Sequence, residues 1–577
     1  MRYSYLSHIV SSLTLSLLTD IGVEASPYGP PSTTPKVDIK NGTVTGRYSR
    51  EWNQDFFLGV PFAEPPTGQF RFRPPQYIRR KRNFDAREFG PRCIDTRGDP
   101  YGMGPNSSED CLTLNIVRPS GIDYTKRRNK LPVGLFIHGG GFQSGTGSNE
   151  RYNMTFMVHQ SVELGTPIIG VTINYRLGGL GFLSSRQMSR TKNDNLGFRD
   201  QRIALHWLQE NIAAFGGDPK RVTLFGQSAG AYSIGWHMMA YGGRDDGLFS
   251  GAIMQSGGPI WVRPFAFPDT FQDRYYYVLN ATGCLDALDS LDCLRSVPLE
   301  ILQPVFATPQ GFCQDLVIDG DMLRGYPSVE FSEGRYLRIP SIIGTTSDEF
   351  TSYARIFTPQ TNEQSLRDYL KASGQYSLGT IDRLLQVYPL SVGLPPQNNI
   401  SQPDQGVVLH GPQFHRISAI MTDLDFNHGK RFIARRLVAD KVPVWTYRSR
   451  ARQNNVPDWI GAPHFAEIAF VFNNRYAPGD LIDTNIDHIP NPLGGYNESE
   501  NLKLADFMSK SWVRFVATGD PASGRSRSEV NWEKYKNGNG KSQIVFDIGV
   551  GGTYIEQDDY REEQYNFWKG LLEQNSQ

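Results

Sequence analysis

The chain has 577 residues, with 59 lysines and arginines set against 59 aspartates and glutamates, a formal net charge of zero. Such a balance creates no long-range field toward polyanions, so nucleic acid and anionic membrane surfaces are demoted as partners. Length alone admits two or three domains, or one large α/β core enlarged by insertions, and the 39% hydrophobic content is that of an ordinary globular protein.

At the N-terminus, Arg2, a modestly apolar stretch from Leu6 to Leu18 and the short Val23-Glu24-Ala25 read as a signal peptide over residues 1–25. Residues 26–577 then read as a single domain. No later apolar run approaches the roughly 20 residues that span a bilayer, so a secreted, extracellular protein without a stable membrane anchor is expected. Secretion predicts glycosylation, and six Asn-x-Ser/Thr sites occur, at Asn41, Asn106, Asn153, Asn280, Asn399 and Asn497. Five cysteines suit an oxidising compartment, and their spacing suggests two local disulfides, Cys93 with Cys111 and Cys284 with Cys293. Cys313 is left over and reads as a buried small hydrophobe, because no basic neighbour would activate it.

From Leu131 onward, short apolar runs of β type alternate with helical periodicity. The runs are Leu131–Ile137, Pro167–Ile173, Val222–Phe225, Gly251–Gln255, Ile339–Gly344, Val442–Tyr447 and Gln543–Asp547. A helix is expected from Arg199 to Ala214, with Ile203, Leu205, Trp207, Leu208 and Ile212 largely on one side, ahead of a turn at Phe215-Gly216-Gly217-Asp218-Pro219. This alternation predicts an α/β protein with a large, mostly parallel sheet and crossover helices. Residues 260–335 and 350–440 read as helical or looped insertions that wall the site.

The chemistry starts at Gly226-Gln227-Ser228-Ala229-Gly230, between the run ending at Phe225 and the helical Ala231–Ala240. Glycines two residues to either side leave room for a sharp strand-to-helix turn that pushes the Ser228 hydroxyl out at a helix N-terminus, where backbone N–H groups favour developing negative charge. A serine nucleophile also needs a base, a group to hold that base, and donors for the oxyanion. Upstream, His138-Gly139-Gly140-Gly141-Phe142 follows a strand, and its glycines can turn N–H groups into a cavity. Gly140, Gly141 and Ala229 are the candidate donors. His138 reads as a structural hydrogen-bonder, and His206 and His237 fall on helices with packing roles. No His/Cys/Asp spacing points to a metal, and no cofactor is called for.

With these segments in view, the chain resembles the type-B carboxylesterase/lipase family of the α/β-hydrolase superfamily, which also contains the cholinesterases. The resemblance rests on Leu58–Phe72, Ser108–Asn115, Asn174–Arg176, Phe215–Pro219 with Gly-Gln-Ser-Ala-Gly, Gln255–Gly257 and Trp512–Pro521, and runs from about residue 36 to about 565. It implies the α/β-hydrolase fold, with a sheet flanked by helices and long insertions over the active site. It also implies an acid in Ser347-Asp348-Glu349-Phe350, where Phe replaces the usual Gly, and a base in His464-Phe-Ala-Glu467-Ile-Ala-Phe-Val-Phe472. Glu349 and His464 are therefore expected to complete the set with Ser228, and Asp348 is the rival acid. By the same resemblance Arg71 should meet Glu109, and Arg176 should meet Asp200, in buried ion pairs.

The expected activity is hydrolysis of small carboxylic esters through an acyl-enzyme. Cys93 and Cys111 should close the family's lid-like loop, which is short and polar here and has no tryptophan to stack a quaternary ammonium. Soluble esters are therefore favoured over lipid droplets and over choline. Two alternatives stand beside this reading: a triacylglycerol or sterol-ester lipase on the same machinery, and a non-catalytic adhesion protein of the same fold. Acyl and alcohol preference and oligomeric state are not legible at this level.

Overall fold

The computed structural model describes residues 34–96, 106–124, 126, 130–260, 266–353, 362–372, 376–393, 405–477, 491–549 and 551–575. The expected signal peptide, the middle of the Cys93–Cys111 loop and Asn399 lie outside them.

An 11-stranded sheet organises the chain. Its strands are β1 (Arg47–Ser49), β2 (Gln54–Pro61), β3 (Thr113–Pro119), β4 (Leu131–Ile137), β5 (Ile169–Ile173), β6 (Gly217–Gln227), β7 (Gly251–Gln255), β8 (Ser341–Thr346), β9 (Val444–Ser449), β10 (Ser542–Phe546) and β11 (Tyr554–Gln557). They lie side by side in the order β11-β10-β9-β8-β7-β6-β4-β5-β3-β2-β1. Neighbours from β5 through β4 to β10 run parallel, while β1, β2 and β3 at one end and β11 at the other pair antiparallel. A two-stranded ladder of Arg92–Cys93 with Ser107–Ser108 and a three-stranded sheet begun by Lys36–Ile39 lie apart from it.

Because side chains alternate across a strand, the parallel strands feed two cores. Leu135, Ile137, Leu224, Met254, Ile343 and Val444 pack on one face with helices α1 (Leu196–Asn211) and α2 (Ala229–Gly243). Phe136, Phe225, Ile253, Ile342 and Trp445 point the other way, into a core built with helix α3 (Glu498–Thr518) through Met508, Trp512 and Phe515. A third, separate cluster joins Leu366, Leu370, Ile381, Leu384, Ile420 and Trp568, which ties part of the second insertion to the C-terminal helix.

Several expected boundaries move. The strands placed at Pro167, Ile339 and Val442 begin instead at Ile169, Ser341 and Val444, just beyond Pro167, Pro340 and Pro443, since a proline has no N–H for the ladder. The strand placed at Val222–Phe225 spans Gly217–Gln227, with a break in register between Gly217 and Val222. The helix expected over Arg199–Ala214 occupies Leu196–Asn211. Its start is set by Asn195, which takes a left-handed φ of 55°, and Gly197 lies so close to the Arg176 carbonyl that a Cβ would come within 2.3 Å of it. Its end is set by turns that return the Gly217 N–H to the Ile212 carbonyl at 2.9 Å. All five residues assigned to its apolar side are buried.

Candidate active site

Strand β6 delivers its C-terminal end to the middle of the sheet, and Ser228 links it to α2 with φ 55° and ψ −124°, outside both strand and helix geometry. Such backbone strain persists only where the surroundings enforce it. Gly226 and Gly230 are part of that enforcement: a Cβ on Gly230 would lie 1.9 Å from the Ile137 carbonyl oxygen, and one on Gly226 would lie 2.8 Å from it. The Ser228 N–H is anchored on the Gln255 carbonyl at 2.9 Å, while the residue itself remains partly exposed.

The glycine loop after β4 aims its peptides by a similar logic. The Gly140 carbonyl accepts from the Gln143 and Ser144 N–H groups at 3.0 and 3.1 Å, and the Gly139 carbonyl meets His138 Nδ1 at 2.8 Å. A trans peptide sets its N–H opposite its carbonyl, so the N–H groups of Gly141 and Gly140 face away from those anchors. At the elbow, the Ser228 carbonyl accepts from Tyr232 at 2.9 Å and turns the Ala229 N–H outward from the helix start. Among the described residues no protein group accepts from these three donors. Gly140 and Gly141 have φ of 103° and 61°, and a Cβ on Gly140 would sit 2.2 Å from the Ser144 carbonyl oxygen.

His138 is buried and stacked on Tyr175 at 4.4 Å, and burial pushes it down to about 4, so it is neutral near pH 7. Its Nδ1 must carry the hydrogen that the Gly139 carbonyl accepts. His206 and His237 lie on α1 and α2; His237 is buried, with Nε2 3.1 Å from Gln201 Oε1.

Glu349 and His464 meet directly. His464 Nδ1 is 2.6 Å from Glu349 Oε2, and both residues are buried, Glu349 completely. The second Glu349 oxygen accepts the Thr346 N–H at 2.7 Å, and its carbonyl accepts the His464 N–H at 3.2 Å. The ring of His464 packs between Phe426 and Tyr353, at centroid distances of 5.0 and 5.8 Å. At the other ring nitrogen, Nε2, stands the side-chain amide of Gln227 at 3.1 Å. No hydrogen bond joins Ser228 to His464 among the described residues; Gln227 holds that position.

Asp348, the rival acid, turns the other way and bonds the Ala462 N–H at 3.0 Å. Burial pushes its carboxyl up to about 6, against the partial opposition of that hydrogen bond and of Arg561, Arg448 and Arg450. Two polar residues of the site went unread in the sequence. Gln227 is one, although its place next to the serine was a signal. The other is Glu467, fully buried, pushed up to about 7 by desolvation and by the charge of Glu349.

Both expected ion pairs are present. Arg71 Nε and Nη2 donate to the two Glu109 oxygens at 2.6 and 2.7 Å, and Arg176 Nε and Nη2 grip the two Asp200 oxygens at 2.8 and 2.7 Å. Disulfides join Cys93 to Cys111 and Cys284 to Cys293, and Cys313 is free and buried. No helix among the described residues is long and apolar enough to cross a membrane.

Comparison with known proteins gives this arrangement a lineage. The carboxylesterase family model matches residues 33–568. Lipase 2 of Geotrichum candidum is 32% identical over 575 residues, covering 91% of this chain and 92% of its own. Secreted lipase 1 of Botryotinia fuckeliana is 33% identical, with 89% and 88% covered, and the secreted triacylglycerol lipase LIP1 of Gibberella zeae is 30% identical, with 92% and 89% covered. The crystal structure of Aspergillus niger EstA superposes with a TM-score of 0.77 at 28% identity, covering 93% of this chain and 98% of that one. The sheet and its flanking helices form an α/β-hydrolase fold, and the chain belongs to the carboxylesterase family, whose activity is carboxylic ester hydrolysis.

Proposed function

We propose that this single-domain chain is a secreted serine carboxylesterase acting through an acyl-enzyme on Ser228. The observation that carries the reading is the 2.6 Å contact between His464 Nδ1 and Glu349 Oε2, buried behind a serine whose backbone is held at φ 55°. Ser228 Oγ attacks the ester carbonyl carbon as its proton passes to His464 Nε2. Negative charge moves to the former carbonyl oxygen, where the N–H groups of Gly140, Gly141 and Ala229 receive it without reorganising. Collapse of this intermediate breaks the carbon–alkoxy bond, and His464 returns its proton to the departing alcohol. Water, deprotonated by His464, then attacks the acyl carbon, and His464 returns that proton to Ser228 Oγ as the acyl–serine bond breaks and the acid departs. Glu349 remains a carboxylate throughout, fixing the Nδ1–H tautomer and offsetting the positive charge of the ring.

A fluorophosphonate probe tests the assignment. It should label Ser228, and Ser228→Ala should abolish labelling; a label on another serine removes Ser228 from the role.

For the substrate, the short and polar sequence between Cys93 and Cys111 supports soluble esters. A lipase is the second reading, because the relatives from Geotrichum, Botryotinia and Gibberella carry that name. Rates on short and long acyl chains, below and above the solubility limit, separate the two: a jump at the emulsion boundary selects the lipase. Secretion is supported by the apolar leader at residues 1–25 and by the relatives named as secreted. Among the sequons, Asn106, Asn153, Asn280 and Asn497 are exposed and open to a glycan, whereas Asn41 spends its amide on the Ile78 carbonyl at 2.7 Å.

A further inference from the structure

The lone pair that must accept the Ser228 proton is already engaged. Glu349 Oε2 lies 2.6 Å from Nδ1 of His464, and a carboxylate there requires the ring hydrogen on Nδ1, so Nε2 of the neutral imidazole is an acceptor. The Gln227 amide at 3.1 Å therefore presents its N–H to Nε2. Its oxygen faces the glycine loop, where a Cβ on Gly139 would come within 2.9 Å of it. Gln227 is buried, so its amide is wedged between the loop that carries the oxyanion donors and the base.

We infer that Gln227 is a positioning residue for the base: in the resting enzyme its N–H holds the imidazole unprotonated at Nε2 and turned toward the elbow. This rests on the Ser228–His464–Glu349 reading and adds to it a reason for the base to be ready when ester arrives. Ser228 must then replace one donor by another on the same lone pair, an exchange that changes no protonation state. The other polar groups around the ring act in a different sense. Glu349 at Nδ1 and the neighbouring Glu467 are carboxyl groups that attract positive charge when ionised, while Phe426 and Tyr353 pack against the ring. The side chain at residue 227 thus meets the nitrogen that gains a proton during turnover, and its charge should be felt there directly.

The test is the pH dependence of kcat/KM on a soluble p-nitrophenyl ester for Gln227→Glu and Gln227→Met. A carboxylate accepts a hydrogen bond from protonated Nε2, so Gln227→Glu should move the acid-side limb of the profile up by about one pH unit or more. Met is similar in size but has no N–H, and should move the limb the same way by less. A side chain that only fills space would lower the plateau and leave the limb in place. An unmoved limb in both variants, or a downward shift in Gln227→Glu, overturns the inference. If the carboxylate variant does not fold, the Met variant decides alone. Fluorophosphonate labelling of the wild type keeps the two readings apart: labelling at Ser228 with an unmoved limb sinks only the role of Gln227, and labelling elsewhere sinks the nucleophile itself.

Discussion

Asp348 and Ala462 clasp one another: the Asp348 N–H donates to the Ala462 carbonyl at 3.1 Å, and the Ala462 N–H donates to Asp348 Oδ2 at 3.0 Å. Gly461 makes this possible, with φ 69° and no Cβ to strike the Asp348 carboxylate. The clasp anchors the segment that carries His464, while the adjacent Glu349 takes the imidazole. Two consecutive acids therefore divide between a scaffold bond and a bond to the imidazole. Glu349→Gln should depress turnover of a p-nitrophenyl ester by roughly a thousandfold or more, the scale expected when the acid behind a catalytic histidine becomes an amide. Asp348→Asn should cost less than about tenfold, because an amide oxygen can still accept from Ala462. The opposite ranking in steady-state kinetics would transfer the acid role to Asp348.

Glu467 makes stability depend on pH. Its Oε1 is 3.4 Å from Gln255 Nε2, whose own oxygen accepts from Trp512 Nε1 at 3.0 Å, and desolvation together with Glu349 raises its carboxyl from 4.5 to about 7. The folded chain thus keeps a proton that the unfolded chain releases. Stability from this source is fully present below about pH 4.5 and is lost as pH rises through about 7. Glu467→Gln removes the titration, so its Tm relative to wild type should rise between pH 4.5 and pH 8. Reading the difference between the two proteins cancels other buried acids such as Asp348, and a difference independent of pH contradicts the assignment.

The parallel strands were legible because each is a short apolar run, most of them feeding both cores, and the elbow because glycines at 226 and 230 are demanded by the nearby Ile137 carbonyl. Strand starts were misplaced where a proline inside an apolar run was counted as part of the ladder, which hydropathy alone does not forbid. The antiparallel strands at the ends of the sheet were not read as strands, and their identity depends on partners far away in sequence, as in the pairing of Phe56 with Val117. Gln227 and Glu467 escaped for a related reason. Each sits next to a segment that the sequence singles out, yet what each does is set by the rotamer and by burial among groups brought from other elements.

Arg176 and Asp200 should behave as a unit of the fold. Beyond the two side-chain bonds, the Arg176 backbone N–H donates to Asp200 Oδ2 at 3.0 Å in a buried setting, and Nη1 donates to the carbonyl of the exposed Arg73 at 2.8 Å. Arg176→Met strands the Asp200 carboxylate and should cost about 3 to 5 kcal/mol. Adding Asp200→Leu should recover part of that loss, since removing the second charge removes the penalty of leaving it unpaired. Chemical denaturation measures both, and fluorophosphonate labelling of the surviving folded fraction should be unchanged; a double variant no more stable than the single would deny the coupling.

Cys313 should be inert. It is fully buried, and its sulfur donates to the Gly311 carbonyl at 3.2 Å; a basic neighbour not expected from the sequence, Arg274, stands by it, but desolvation outweighs that charge and pushes the thiol up to about 12. A thiol that is almost never ionised at pH 8 is a poor nucleophile. Iodoacetamide should leave it unmodified in the native protein and alkylate it after denaturation without reductant. Alkylation of native protein at a rate similar to that of the denatured chain would show that the site opens.

His138 gives the sharpest separation between a part of the glycine loop proposed to hold the oxyanion and a packing residue. Its Nδ1–H holds the Gly139 carbonyl, and through that peptide it aims the Gly140 N–H. His138→Phe preserves a ring against Tyr175 but releases the carbonyl, so kcat should fall by about ten- to a hundredfold, less than the loss of a whole oxyanion donor, with KM little changed. Burial lowers the histidine from 6.5 to about 4, so its contribution to stability is present above pH 6.5 and is lost as pH falls through about 4. The Phe variant has no proton to take up, and its Tm should therefore decline less than that of the wild type across the same interval. A fall in kcat without the change in acid sensitivity would mean that His138 is not held neutral by burial, and a change in acid sensitivity without a fall in kcat would mean that the Gly140 N–H is aimed by something else.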